Sequence, residues 1–159
     1  MKTNIIKTLG FTLITSNAVA DKNEVRLHEC PENVRKEITQ RMQGGKLDEV
    51  KIINLQGKPV YVAEVDFTKD REVKIYVSGD GTFMKTREEI RLVQAPAAVR
   101  EALFKFQGRV DDLEIEKATV EGGEKVTYLA EIDRKGAPDI DVVVTPAGEV
   151  LSQQEEARD

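Results

Sequence analysis

The stretch Tyr61-Val62-Ala63-Glu64-Val65-Asp66 returns as Tyr128-Leu129-Ala130-Glu131-Ile132-Asp133, 67 residues later. A duplication constrains a fold more than composition does, because both copies must adopt one element order and bury one set of positions. The match runs well beyond these six residues. Glu24-Val25-Arg26-Leu27 corresponds to Glu89-Ile90-Arg91-Leu92, and Pro31, Val34, Arg35 and Ile38 to Pro96, Val99, Arg100 and Leu103, both by a shift of 65. Gly45 to Ile52 corresponds to Gly108 to Ile115 by 63, and Val73, Ile75, Val77 and Gly81 to Ile140, Val142, Val144 and Gly148 by 67. The shift changes twice, at the end of the helical region and around Gly122-Gly123, where connections tolerate insertions.

Each copy opens with a helix. Pro31 and Pro96 suit a first helical turn, where a missing N–H costs nothing. Val34, Ile38 and Met42 recur every four residues and share one face, as do Val99, Ala102, Leu103 and Phe106. Gly44-Gly45 and Gly108 end the helices. Four strands follow in each copy. The first set covers Val50–Leu55, Val60–Phe67, Glu72–Ser78 and Thr82–Leu92, and the second Leu113–Val120, Lys125–Arg134, Asp139–Thr145 and Glu149–Gln154. Their connections are hairpin-length and rich in turn formers, such as Gln56-Gly57-Lys58 and Gly79-Asp80-Gly81. The expected fold is therefore α+β: two tandem helix-plus-four-antiparallel-strand repeats forming a curved open sheet, with both helices on one face.

Alternation assigns the faces. Tyr61, Ala63, Val65 and Phe67 share one side with Val73, Ile75 and Val77; Tyr128, Ala130 and Ile132 share theirs with Ile140, Val142 and Val144. Those sides need a helical cover. The opposite face carries Glu64, Asp66, Lys74, Glu131, Asp133 and Asp141, and with them Val62 and Tyr76 and their equivalents Leu129 and Val143. Apolar residues on a face otherwise polar fit a contact site. They also fit scattered surface apolar residues, or two sheets that cover each other.

The N-terminus reads as a signal peptide over residues 1–20. Lys2 and Lys7 precede a short apolar run with Leu9, Phe11, Leu13 and Ile14, and Ala18-Val19-Ala20 is a small-residue cleavage site. No stretch reaches the ~18 apolar residues of a spanning helix, so the mature chain is expected to be periplasmic or secreted without membrane insertion. Repeat 1 then covers 21–88 and repeat 2 covers 89–159. The formal charge is −5, and cleavage would remove two lysines and no acid, giving −7. An acidic chain without a Lys/Arg block is poorly suited to nucleic acid or anionic membranes.

Chemistry-bearing residues are sparse. His28 and Cys30 are the single histidine and cysteine. They would share a side on a strand, but their equivalents, Val93 and Ala95, point to packing rather than to a nucleophile and base. No Gly-x-Ser-x-Gly elbow or P-loop occurs. Asp111, Asp112, Glu114 and Glu116, and also Asp139 and Asp141, are oxygen donors for a hard cation, but without the spacing of a calcium loop they read as a solvated acidic edge. No cofactor, no metal and no enzymatic activity is expected.

The order helix, glycine, strand, Tyr-bearing hairpin, apolar strand, glycine turn and final strand resembles the PepSY-like domain, carried by Val34/Val99, Gly45/Gly108, Tyr61/Tyr128 and Gly81/Gly148. In tandem it resembles the beta-lactamase-inhibitor-protein-like group. The resemblance implies an extracytoplasmic binding or inhibitory protein, acting on a peptidase or related hydrolase. A single cysteine departs from the disulfide-bonded inhibitors of that group. The expected partner surface is the helix-free face, with Val62, Tyr76, Leu129 and Val143 as apolar contacts and Glu64, Lys74, Glu131 and Asp141 around them. The alternatives are a periplasmic small-ligand or divalent-cation sensor and an envelope assembly factor.

Overall fold

The computed structural model describes residues 23–121 and 123–156. The signal segment read at 1–20 lies outside the described residues. A 3-10 turn, Leu27–Glu29, leads into α1 (Glu32–Arg41), followed by β1 (Lys46–Leu55), β2 (Lys58–Thr68), β3 (Arg71–Ser78) and β4 (Phe83–Glu89). A second 3-10 turn, Leu92–Gln94, leads into α2 (Ala97–Phe104), β5 (Arg109–Val120), β6 (Gly123–Asp133), β7 (Ile140–Val144) and β8 (Val150–Glu155). All eight strands form one antiparallel sheet in sequence order. The seam between the halves is the pairing of β4 with β5, from Lys85 opposite Ala118 to Glu89 opposite Glu114. The chain is α+β, with two α-helices and one open antiparallel sheet among the described residues.

Local chemistry explains the element ends. Pro31 and Pro96 stand just before their helices, where each carbonyl accepts the first helical N–H, from Arg35 at 2.9 Å and Arg100 at 3.1 Å. Past α1, Gly44 turns the chain at φ +85°; past α2, Gln107 does so at +54°, although a Cβ is disfavoured there. α2 ends at Phe104, which is 64% exposed, so the Phe106 of the sequence pattern packs on the core from beyond the helix. β4 stops at Glu89, short of the expected Leu92, because the Arg91 amide donates to Gln94 Oε1 at 2.8 Å and closes a turn instead of a ladder. β1 and β5 start four residues earlier than read, ahead of bulges at Leu47/Glu49 and Val110/Asp112 that break the alternation.

Two glycines fix the helices to the sheet. Gly81 (φ +89°) and Gly148 (φ +84°) end the third strand's turn in each half. A Cβ on Gly81 would lie 2.5 Å from Asn33 Cβ, and one on Gly148 2.5 Å from the Ala98 carbonyl oxygen. Only a bare backbone lets these turns approach the starts of α1 and α2 so closely.

The core forms two clusters. Val34 and Ile38 pack with Val50, Ala63, Val65, Val73, Ile75 and Val77; Val99 and Leu103 pack with Leu113, Tyr128, Ala130, Ile132, Val142 and Val144. Each fully buried aliphatic side chain contributes about 1.5–3 kcal/mol. Cross-strand partners lie on the same face. Val73, Glu88, Ile115, Tyr128 and Val144 follow one another across β3 to β7 as such partners, and the row contains members of both clusters. Cys30 is buried in the first cluster and Ala95 in the second. No helix of the described residues is long and apolar enough to cross a membrane.

Candidate partner-binding face

The sheet face opposite these clusters is read row by row from the register. Lys51, Val62, Tyr76, Lys85, Ala118 and Lys125 form one row from β1 to β6. Glu89, Glu114, Leu129, Val143 and Ser152 form another from β4 to β8. The four apolar candidates thus meet in two pairs. Val62 is the cross-strand partner of Tyr76, and Leu129 of Val143. Three strand steps and four residues along the strands separate Tyr76 from Leu129, about 19 Å at ordinary sheet spacings. Val62 and Leu129 are only 6% exposed, while Tyr76 and Val143 are half-buried. Of the four candidates, the accessible ones are therefore Tyr76 in one half and Val143 in the other.

The charged candidates also pair within their own halves. Glu64 lies opposite Lys74, a favourable combination. Glu131 lies opposite Asp141, and Glu156 joins them, with carboxylate oxygens of all three within 4.8 Å of one another. Burial, then the Glu156 and Asp141 charges, raises the Glu131 carboxyl; burial, then Glu156 and Asp139, raises that of Asp141. These oxygens are the candidate donors for a hard cation.

Between the apolar pairs lies a network that the sequence reading did not assemble. Lys85 Nζ and Arg87 Nε both donate to Glu116 Oε2 at 2.8 Å, and Arg87 Nη1 lies 3.5 Å from Glu114 Oε2. The Tyr76 ring faces both cations, with Lys85 Nζ 5.0 Å and the Arg87 guanidinium carbon 5.8 Å from its centroid. Burial raises the Tyr76 phenol and the Glu114 carboxyl and lowers the Lys85 ammonium. Glu114 and Glu116 are thus not part of a solvated acidic edge. β5 is an interior strand of the joined sheet, and Glu116 is 7% exposed. The available signal was alternation: cations at 85 and 87 on one strand, anions at 114 and 116 on another.

Beside this network the face sinks into a depression of about 740 Å3, lined among others by Lys74, Arg87, Arg91, Asp112 and Glu114. Glu114 is the cross-strand neighbour of Leu129, and Lys74 lies two residues from Tyr76 on β3. The hollow therefore reaches towards both apolar pairs.

His28 and Cys30 are not on a strand. His28 is exposed in the 3-10 turn, while Cys30 is 6% exposed with its Sγ 3.6 Å from the Arg26 carbonyl oxygen. Burial pushes the thiol up, which opposes thiolate formation.

No family model matches the chain, and a search of the curated proteins finds no match. Solved structures do share the fold. A Bacteroides eggerthii protein provisionally assigned to the periplasm superposes with a TM-score of 0.66 at 17% identity, over 79% of this chain and 88% of that one. A DUF2874 family protein from Bacteroides uniformis gives 0.65 at 15% identity, over 79% and 89%. A BLIP-like protein from Bacteroides fragilis gives 0.64 at 16% identity, over 82% and 89%. At these identities the likeness is one of fold.

Proposed function

We propose that the chain is an exported, non-catalytic protein-binding module. It is built from two PepSY-like repeats, 21–88 and 89–159, with both helices on one face of the sheet. Its helix-free face captures an extracytoplasmic protein, a peptidase or another hydrolase, and acts by occlusion or sequestration. The observation that carries this reading is the depression of about 740 Å3 walled by Lys74 and Glu114, with half-buried Tyr76 two residues from Lys74 on β3 and Leu129, the partner of half-buried Val143, opposite Glu114. A protruding loop of a partner would fill the hollow and place apolar groups on the two side chains. Arg87 in the wall of the hollow is already paired with Glu116 and Glu114, so covering it leaves less charge to desolvate than a bare cation would. Aromatic anchors carry much of the energy of such interfaces, which makes Tyr76 the first residue to test. The fold shared with a BLIP-like protein and with a protein provisionally assigned to the periplasm supports the class and the compartment.

Site-specific photocrosslinking in the periplasm tests the reading. A benzophenone residue replacing Lys74, Tyr76 or Val143 should trap one recurrent partner, while the same group replacing Gln40 on α1 should not. Equal trapping from both faces, or from Gln40 alone, would remove the proposed surface. A purified hydrolase identified in this way should lose activity on addition of the protein, and Tyr76→Ala should weaken that inhibition at least tenfold.

The Glu131, Asp141 and Glu156 oxygens favour a second reading, a divalent-cation sensor. Calorimetry with calcium separates the two: micromolar binding lost in Asp141→Asn supports the sensor, and an absence of heat supports the protein-binding module.

A further inference from the structure

The outer edge of β1 carries a short strap from the chain itself. Val25 N–H donates to the Val50 carbonyl at 2.8 Å, Ile52 N–H donates to the Asn23 carbonyl at 2.7 Å, and Glu24 bridges to Lys51. The same bonds recur at the seam. Ile90 N–H donates to the Leu113 carbonyl at 2.8 Å, Glu88 pairs with Ile115 and Glu89 with Glu114. In repeat equivalents, Asn23–Val25 occupies on β1 the place that residues 88–90 occupy on β5. The strap is the repeat equivalent of the last residues of β4 and their continuation to Ile90. At the other end of the sheet, β8 is the repeat equivalent of β4. Among the described residues it has no neighbour beyond β7, and all six of its residues are exposed. It also lacks the Lys, Arg and Pro residues that usually guard an open edge.

We propose that β1 accepts β8 of a second copy in the register in which β5 accepts β4, and that the Asn23–Val25 strap holds this edge closed in the monomer. Transposing the seam sets Ser152 opposite Leu55, Gln153 opposite Asn54, Gln154 opposite Ile53, Glu155 opposite Ile52 and Glu156 opposite Lys51. The last pair sets an acidic residue opposite Lys51, as Glu24 is set in the strap it would replace. The backbone polarity agrees. Glu156 N–H donates inward to the Asp139 carbonyl at 2.9 Å, so Gln153 and Glu155 turn their amides outward. Ile52 already donates outward, and Asn54 shares its direction. The hydrogen-bonded pairs are then Gln153 with Asn54 and Glu155 with Ile52. Such a contact joins unlike edges, so it propagates head to tail instead of closing as a dimer. It leaves the helix-free face untouched and stands apart from the partner-binding reading.

Sedimentation of the full chain at rising concentration tests the proposal. Val25→Pro removes one strap bond, and Glu24→Arg, at an exposed residue outside the core, puts a like charge directly opposite Lys51 across the strap. Each should start a series of larger species at a concentration at least tenfold below that of the parent. Adding Gln153→Pro, which deletes an outward amide of β8, should return either variant to monomer. If Val25→Pro no longer melts cooperatively, Glu24→Arg decides. In a Glu24→Arg background, Ile53→Cys with Gln154→Cys should form an intermolecular disulfide, because the two sites lie about 33 Å apart along one sheet. Glu49→Cys with Gln154→Cys should not. A folded Glu24→Arg variant that stays monomeric, assembly that survives Gln153→Pro, or equal crosslinking in both cysteine pairs would overturn the proposal.

Discussion

Glu116 is the residue at which the centre of the sheet is most exposed to test. Lys85 and Arg87 share its Oε2, each at 2.8 Å, and the side chains are 15%, 16% and 9% exposed for Lys85, Arg87 and Glu116. Glu116→Gln keeps the shape and leaves two sheltered cations with one carboxylate fewer. Breaking a buried pair from one side costs about 3–5 kcal/mol. The residual exposure of both cations favours the lower end, about 3 kcal/mol, or about 6–12 °C in Tm for a chain of this size. The loss should depend on pH. Burial, reinforced by the Arg87 charge, already holds the Lys85 ammonium below its ordinary value, and Glu116 opposes that shift. Without Glu116 the depression deepens. The folded state then binds fewer protons than the unfolded chain across the window between the two Lys85 values, so raising the pH through it favours folding. Thermal melts at pH 7 and pH 9.5 should show the Glu116→Gln deficit narrowing at the higher pH. Adding Lys85→Met should recover part of the loss, because removing a sheltered cation together with the carboxylate it shares is less costly than removing the carboxylate alone. A deficit below 1 kcal/mol at pH 7, or a double variant worse than Glu116→Gln alone, would refute the reasoning.

Asp141→Lys should stabilise the protein at pH 7 by about 0.5–1 kcal/mol, because it gives Glu131 the opposite-charge partner that Glu64 has in Lys74. The folded-state Glu131 and Asp141 carboxyls are raised, so the parent should lose stability as pH rises through their folded values, and Asp141→Lys should flatten that part of a Tm–pH curve. Gly148→Ala should cost about 3–4 kcal/mol in urea unfolding, since left-handed backbone strain adds to a contact with the Ala98 backbone. Gly57→Ala is the control: its φ is +80° with nothing within 4 Å of the added Cβ, so only about 1–2 kcal/mol of strain should appear.

What the sequence discloses here is parity, and what it conceals is adjacency. The alternation in Tyr61-Val62-Ala63-Glu64-Val65-Asp66 assigns each side chain to a face, and its recurrence at 128–133 repeats the assignment. The pairs Val62–Tyr76 and Leu129–Val143 each lie within one hairpin, so their meeting follows from local pairing. The seam is different. Nothing in either copy states that β4 of one continues into β5 of the other, yet that pairing brings Lys85 and Arg87 to Glu116 and moves Glu114 from an apparent edge to the interior. It also spaces the two apolar pairs about 19 Å apart, with a charge network in place of a continuous apolar patch. Strand starts stayed hidden at Leu47/Glu49 and Val110/Asp112 because a bulge breaks the period that reveals a strand. The two copies keep the backbone devices that fix shape: the bulges, the approach of Gly81 and Gly148 to the helices, and the register of each hairpin. They part on the sheet face that carries these pairs, where Glu64 lies opposite Lys74 in one half and Glu131 opposite Asp141 in the other, and Tyr76 stands where the other half has Val143. The two halves of this sheet face therefore present unlike side chains on like backbone positions, so substitutions at Tyr76 and at Val143 probe different chemistry at matched register.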